Sequence, residues 1–537
     1  MNGPYSPSIT NRPATSPGPV AGIVLSLAFF MAMPAGLRIG RAAGVGPDPA
    51  AIPATDAGQT APGVFPAADA TGVCPDTPLR LTFATPPVLG TSGKIQICNA
   101  ADNAVVETID VSSPTSTKAI GGLPNYKYYP VIISGRQAMI YPRNGALAYG
   151  QTYCVTIQSG VFQRGSETAA ESNPPTTWRF TTKAAAPAVD SKRLVVAADG
   201  TGDFCTVQGA LDFIPDGNTT PTTIFLHKGT YTEMVFFTNK HAITLLGEDR
   251  QQSVIAYATN DRFNPSGDNP FADNAPNPSA APRVGGRIYH RGVFLAHRVN
   301  DLTLANLTIR NTTPQGCSQA EAIILNGTTT ARAILKEVDL YSYQDTLQIN
   351  GQAYLHHCSI EGDVDFMWGT GPCFFENCTA RSLRSDAYYT QIRNPGTNHG
   401  YVYLRCTFDG QPGIIGNYLS RIGTGRFPHS EVVLLDCVLG NAVGPVAWLF
   451  SGGREGSEHD PADVHFWEFN SRRPDGQPVD THLRLAGSRQ LRSPEDDALI
   501  ANYRNPVFVL GSDWNPKLAP IFVQPPFLPP PAVPAPR

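Results

Sequence analysis

Asp345 and Asp365 stand 20 residues apart. Each lies seven residues beyond a repeated segment's reference position, Val338 in one case and Cys358 in the other. If 20 residues make one turn of a solenoid, the carboxylates occupy equivalent places on successive turns, with backbones ~4.8 Å apart. Two carboxylates so close do not easily both stay ionised, so one pKa should rise while the other remains low. The outcome is a proton donor beside an ionised base or nucleophile, titrating as a unit. Spacing alone leaves open two unrelated surface aspartates, or a stacked pair holding a cation.

The elements that must position this pair are short and repetitive. Leu335–Leu340, Leu355–Ile360, Phe375–Ala380, Leu404–Phe408 and Leu434–Leu439 share one apolar pattern. Aligning Val338, Cys358, Cys378, Cys406 and Cys437 gives spacings of 20, 20, 28 and 31 residues. A near-fixed period with insertions, built from strands of four to six residues, predicts a parallel β-helix. Cys358, Cys378, Cys406 and Cys437 then stack inside as small hydrophobes. With no Cys-x-x-Cys pair in the chain, they do not read as a metal site.

Composition agrees with a turn-rich β protein. The 537 residues include 50 Gly and 49 Pro, well above an average of roughly 12% for the two together, and both residues break helices. A net charge of −4 argues against nucleic acid or an anionic membrane bound by bulk charge. No Gly-x-Ser-x-Gly occurs, so the elbow of a serine esterase is absent.

The N-terminus predicts export. Val20 to Met33 is an almost wholly apolar run of fourteen residues, preceded by Arg12 and closed by Pro34 and Gly36. It is short for a bilayer span and reads as a signal peptide over 1–43, the alternative being an uncleaved anchor extended through Leu37. No other stretch is expected to span a membrane, so the chain is secreted or held at the cell surface, with no membrane partner once the signal is removed. A linker follows at 44–70, then strand-like runs over 71–183 separated by Gly, Pro and Asn turns. These predict an antiparallel β-sandwich that resembles bacterial Ig-like modules. Within it Cys98 and Cys154 are candidates for a disulfide, with connectivity open. A hinge is expected at 184–192, the β-helix at 193–514 and a polyproline-type tail at 515–537.

Other residues add a resemblance. Tyr343-Gln344-Asp345-Thr346-Leu347 and Gly362-Asp363-Val364-Asp365-Phe366-Met367-Trp368-Gly369 are similar to the two active-site signatures of the pectinesterases. Gly200–Ala210 resembles that family's opening strand–helix segment, Gly229-Thr230-Tyr231-Thr232-Glu233 its Gly-x-Tyr-x-Glu, and Gln319-Ala320-Glu321-Ala322 its Gln-Ala-x-Ala. The resemblance implies a right-handed parallel β-helix behind the Ig-like sandwich, a mainly β architecture, acting on methyl-esterified homogalacturonan without cofactor or metal. It implies Asp365 as nucleophile, Asp345 as acid then base, Gln319 and Gln344 as oxyanion donors, and Arg421 as the cation that keeps the nucleophile ionised. It gives Trp368 an aromatic-wall position, and Tyr343, the family-like run Tyr388-Tyr389-Thr390-Gln391 and Trp448 are further candidates for lining the substrate cleft. The family usually reads Leu-Gly-Arg-Pro-Trp where this chain has Leu419-Ser420-Arg421-Ile422-Gly423. The missing tryptophan bears on subsite preference more than on chemistry. Open alternatives are a β-helix enzyme that cleaves the pectin chain, an esterase for a different ester, and a polysaccharide-binding surface protein without turnover.

Overall fold

The computed structural model describes residues 62–163, 174–268, 287–288, 290–328, 330–423, 426–450, 463–511 and 514–523. The proposed signal peptide, most of the linker and the run Pro525 to Pro536 lie outside them.

The first part is a sandwich of two sheets. One carries Gly63–Phe65, Leu79–Thr82, Gln137–Ile140 and Val131–Ser134, and the other Ala70–Val73, Thr177–Thr182, Thr152–Ile157, Lys94–Asn99 and Val105–Asp110. Alternation decides which side chains meet between them. Ile95, Ile97, Tyr153, Val155, Trp178 and Phe180 face Leu79, Leu81, Ala138 and Ile140 in one core. The expected linker over 44–70 is too long, because Gly63–Phe65 already pairs antiparallel with the Leu79–Thr82 strand, Val64 opposite Leu81. The Gly, Ala and Pro content there hides a short edge strand with one buried apolar residue, Val64. Cys98 and Cys154 lie directly opposite each other on paired strands, their sulfurs unbonded, as are those of Cys74 and Cys205.

From Arg193 the strands pair in parallel. An eight-stranded sheet takes one strand per turn: Val235–Thr238, Phe294–His297, Ile323–Asn326, Leu347–Ile349, Val364–Gly369, Tyr388–Ile392, Tyr418–Ile422 and Trp448–Phe450. The remaining faces form a second parallel ladder, in which Leu335 pairs with Leu355, Leu355 with Phe375, and Phe375 with Tyr403. The repeat is set by a recurrent bend. Glu337, His357, Asn377, Arg405 and Asp436 each adopt a φ of 54–56°, one residue before the aligned Val or Cys. The Sγ of Cys378 and of Cys406 accept from the backbone N–H of Cys358 and Cys378, both at 3.4 Å. The cysteine ladder is therefore buried filler, as its spacing predicts.

Sandwich and β-helix share a core. Ile120, Leu123, Tyr126, Tyr129, Ile132 and Met139 are buried with Phe236, Tyr257 and Phe263. The Tyr129 N–H donates to the Tyr257 hydroxyl at 2.9 Å, and the Lys127 N–H donates to Asn264 at 2.8 Å. Residues 184–192 are an exposed connection, but not the hinge expected: bending there would open this apolar seam to water. A cavity of about 300 Å³ runs along the seam, lined by Tyr128, Tyr141, Phe204 and Glu233 among others, and neither Asp345 nor Asp365 borders it.

At the far end the helices Asp497–Tyr503 and Pro506–Leu510 cover the outer face of the ladder, with Ile500, Tyr503, Val509 and Leu510 against Tyr354, Phe374, Val402 and Val433. The expected tail from 515 begins as packed structure. Phe522 meets Tyr354 edge-on at 5.8 Å, and Lys517 pairs with Glu376 at 2.7 Å.

Candidate active site

The site occupies the outer face of the eight-stranded sheet across consecutive turns. Leu347 pairs with Met367 and Gln348 with Trp368, so the 20-residue turn inferred from the sequence is present at the acidic pair. The Asp345 N–H donates to the Val364 carbonyl at 3.1 Å, which sets the two aspartates on adjoining rungs. Both take left-handed backbone, with φ of 67° at Asp345 and 49° at Asp365. Asp is one of the few side chains that tolerates that region. Where Val364 pairs with Tyr388 and Met367 with Thr390, three steps of one strand match two of the next. This bulge re-aims the side chain at Asp365.

Arg421 grips Asp365 with both arms, Nε to Oδ1 at 2.8 Å and a terminal nitrogen to Oδ2 at 2.5 Å. The arginine comes from two turns away, roughly 10 Å of rung spacing, which only a long side chain spans. The Gln391 amide, on the turn between, donates to Oδ2 of Asp365 at 3.0 Å. Arg393 holds that amide by donating to its Oε1 at 2.8 Å. Asp345 has a different neighbourhood. Arg291 donates to Glu321 at 2.8–3.0 Å and to Asp261 at 3.0 Å, and reaches Asp345 at 3.5 Å. Glu321 is wholly buried, so Arg291 is committed chiefly to it.

The electrostatics separate the pair, though not as the sequence predicts. Burial pushes Asp345 well above the usual carboxylate range, and the Glu321 and Asp365 charges add to this against the opposing pull of Arg291. Asp365 does not stay low. Burial raises it too, by less, because the hydrogen bonds and charge of Arg421 and the charge of Arg393 oppose the rise. The residue that keeps its proton longer is therefore Asp345. Both keep some solvent contact, at 7% and 5% exposure, so they form the floor of the face and are not sealed inside.

Other expected residues fall into three groups. Gln319, Tyr343 and Gln344 are half-buried beside the pair; the Ala320 N–H donates to the Gln344 carbonyl at 3.1 Å, linking their turns. Tyr343 and Gln344 line a small cavity of about 40 Å³ with Ser318 and Arg384. Trp368 lies on the correct strand but is only 4% exposed, with the Arg393 guanidinium 4.5 Å over its ring. It serves as a base for Arg393 and not as an open wall. Tyr389 and Trp448 do not line the cleft. Tyr389 is buried between Phe366 and Phe408, its hydroxyl donating to the Asp409 carbonyl at 2.6 Å. Trp448 stacks on Phe466 and donates to Glu468 at 3.1 Å. The aromatic surface at the site is Tyr388, which carries Arg421 at 4.2 Å and stacks on Tyr418.

Gln391 belongs to the run the resemblance places at the cleft, whereas Arg393 and Arg291 have no role readable from the sequence. Gln391 and Arg393 flank the buried Ile392, an alternation that puts both on the face opposite the core. Nothing in the sequence pairs Arg291 with Glu321, since 30 residues separate them.

Comparison with known proteins gives the same class. The family model described as Pectinesterase matches residues 193–268 and 283–501, more than half of the chain, and the one described as Bacterial Ig-like domain matches 58–182. Pectinesterase 31 of Arabidopsis thaliana is 31% identical over 265 residues, covering 48% of this chain and 77% of that protein. Pectinesterase 2 of Olea europaea is 28% identical over 299 residues, 53% of this chain and 71% of that one. Among solved structures, the pectin methylesterase from carrot has 20% identity and a TM-score of 0.47, covering 60% of this chain and 94% of that one. The pectin methylesterase from Erwinia chrysanthemi has 24% identity and a TM-score of 0.47, covering 62% and 100%. The family-model matches and the pectinesterase relatives define a carboxylic ester hydrolase preceded by an Ig-like module. The chain belongs to the pectinesterase family.

Proposed function

We propose that this protein is exported and removes methyl esters from homogalacturonan, yielding de-esterified pectin and methanol through an acyl-enzyme on Asp365. The observation that carries the proposal is the clamp of Arg421 and Gln391 on Asp365, one rung from Asp345, whose burial raises its pKa further than that of Asp365. An Asp365 oxygen attacks the ester carbonyl carbon, and the carbonyl electrons move onto the oxygen. Amides from Gln319 and Gln344 stabilise that oxyanion. As the oxyanion collapses, the C–OCH3 bond breaks and Asp345 gives its proton to the departing methoxide, leaving methanol and a mixed anhydride. Asp345, now ionised, takes a proton from water as the water oxygen attacks the sugar acyl carbon. The anhydride opens, Asp365 leaves as carboxylate, and Asp345 is protonated again. Arg421 supports this cycle by favouring the ionised form of Asp365 at its start and end.

Highly methylated pectin incubated with the purified protein should release methanol without loss of viscosity and without new unsaturated ends. Viscosity loss without methanol would point to a chain-cleaving enzyme, and pectin binding with neither product to a binding protein.

A further inference from the structure

From the packing between the sandwich and the first turn of the β-helix, we infer a covalent site: Cys74 and Cys205 form a disulfide that joins the Ig-like module to the catalytic domain. The two Sγ atoms and the carboxylate of Asp76 all lie within 4.8 Å of one another. Both cysteines are buried, at 0% and 2% exposure, on segments separated in sequence by most of the sandwich strands. Bond formation needs the sulfurs to close to ~2.0 Å, a movement that side-chain rotation supplies when the backbones already face each other.

The two segments are tied together by hydrogen bonds on both sides of the sulfurs. Asp76 accepts from the N–H groups of Cys205 and Thr206 at 3.0 and 2.8 Å and from the Thr206 hydroxyl at 2.7 Å. A side chain on Gly209 would lie 2.3 Å from the Asp76 carboxylate, so only glycine permits this approach. The Cys74 thiol is directed at the carbonyls of Gly202 and Asp203, both at 3.5 Å. Lys183 donates to the Asp203 carbonyl at 3.1 Å and to that of Gly202. Three residues of the sandwich side, Cys74, Asp76 and Lys183, thus fix the loop that carries Cys205, and the cysteines meet inside that contact. The same trio has the residue types of a cation site, but the Lys183 ammonium shares those carbonyls, and Asp76 is already spent on four hydrogen bonds.

The chemistry is thiol–disulfide exchange with a disulfide-bearing oxidoreductase or small-molecule disulfide of the export compartment. The Cys74 thiolate attacks one sulfur of the donor disulfide and expels a thiolate, giving a mixed disulfide. The Cys205 thiolate then displaces the second donor sulfur, so two protein thiols become one disulfide and the donor leaves as two thiols. In the docked structure a hydrogen bond from Cys205 lowers the pKa of Cys74, while the same bond and burial raise that of Cys205 well above its ordinary value, so the two sulfurs already face each other. Since both sulfurs are buried once docked, the bond closes as the two domains come together.

The test uses the full chain, exported and purified without reductant, with free thiols blocked before digestion. Trypsin should yield the peptide ending at Arg80 joined to Leu194–Lys228, two hydrogens lighter than the sum. Cutting the folded protein at the exposed Lys192 should leave one band on a denaturing gel without reductant and two with it. Reductant should lower Tm by several degrees in the wild type, and the Cys74→Ser/Cys205→Ser double variant should not show that shift. Both cysteines recovered as blocked thiols, either one joined to a different cysteine, or a stoichiometric metal bound with both thiols protected would overturn the assignment. Because peptide mapping reads the wild type, a double variant that fails to fold leaves the test intact.

Discussion

Arg421 holds both oxygens of Asp365 from two turns away, and Gln391 fills the turn between them. Three consecutive rungs thus converge on one carboxylate, while among the described residues the side-chain contact to the adjoining Asp345 is that of Arg291, at 3.5 Å. The asymmetry between two otherwise equivalent aspartates is what divides an acyl-transfer reaction between them.

Catalysis on this account needs Asp365 ionised and Asp345 protonated, so kcat/KM should follow a bell in pH. Both pKa values are raised, Asp345 the more. The acid limb should therefore lie above the ordinary aspartate value of about 3.9, and the alkaline limb above it again. Arg421→Lys loses the two-armed grip; it should cost about 10²-fold in kcat/KM and move the acid limb upward. An unchanged acid limb would separate Arg421 from the ionisation of Asp365. The same raised values carry a stability sign: the neutral form is favoured in the folded state, so this contribution is full below about pH 4 and is lost as pH rises through the folded values.

Removing Arg291 should be costly. In Arg291→Met the buried Glu321 loses its bidentate partner, and urea denaturation should show a loss of about 3–5 kcal/mol. Adding Glu321→Gln should recover much of it, because the uncompensated charge is then gone. A double variant no more stable than Arg291→Met would contradict this reading.

Glu431 provides an acid-sensitive fastening at the C-terminal end. Burial opposes its ionisation, but bonds from His399, His465 and Tyr503 outweigh this and bring its pKa from 4.5 to about 2. A depressed carboxylate stabilises above its unfolded value and loses that contribution as pH falls through the folded one. Glu431→Gln should thus lower stability by about 3 kcal/mol near neutrality, and thermal melts should show the difference shrinking from pH 4.5 toward pH 2.

Tyr388 and Tyr389 should respond oppositely. Tyr389→Phe removes the bond to the Asp409 carbonyl and should cost about 1 kcal/mol of stability with KM unchanged. Tyr388→Ala leaves the core alone and should raise KM for esterified oligogalacturonate. A raised KM in Tyr389→Phe would return that residue to the cleft.

Much of this was legible in the sequence because a solenoid turns spacing into stacking. The 20-residue interval between Asp345 and Asp365 survives as strand register, and Cys358 to Cys437 keep their places in the core. Errors arose where period alone does not decide the face. The bulge at Asp365 shifts the next strand's alternation, so Tyr389 turns inward and Tyr388 outward, since a one-residue shift exchanges faces. Trp448 carries no positional signal of its own, and burial was decided by Phe466 and Glu468 on another strand. Asp365 is raised where spacing predicts a low value, because burial depth is a tertiary quantity. The seam with the sandwich stayed hidden because it joins residues more than a hundred positions apart, such as Tyr129 and Tyr257.

The most direct measurement is methanol release from methyl-esterified oligogalacturonate by Asp365→Asn and Asp345→Asn, each checked for wild-type secondary structure and melting behaviour. The account predicts losses of about 10³-fold or more for Asp365→Asn and 10²–10⁴-fold for Asp345→Asn. Either variant, folded like the wild type and releasing methanol at a comparable rate, would contradict it.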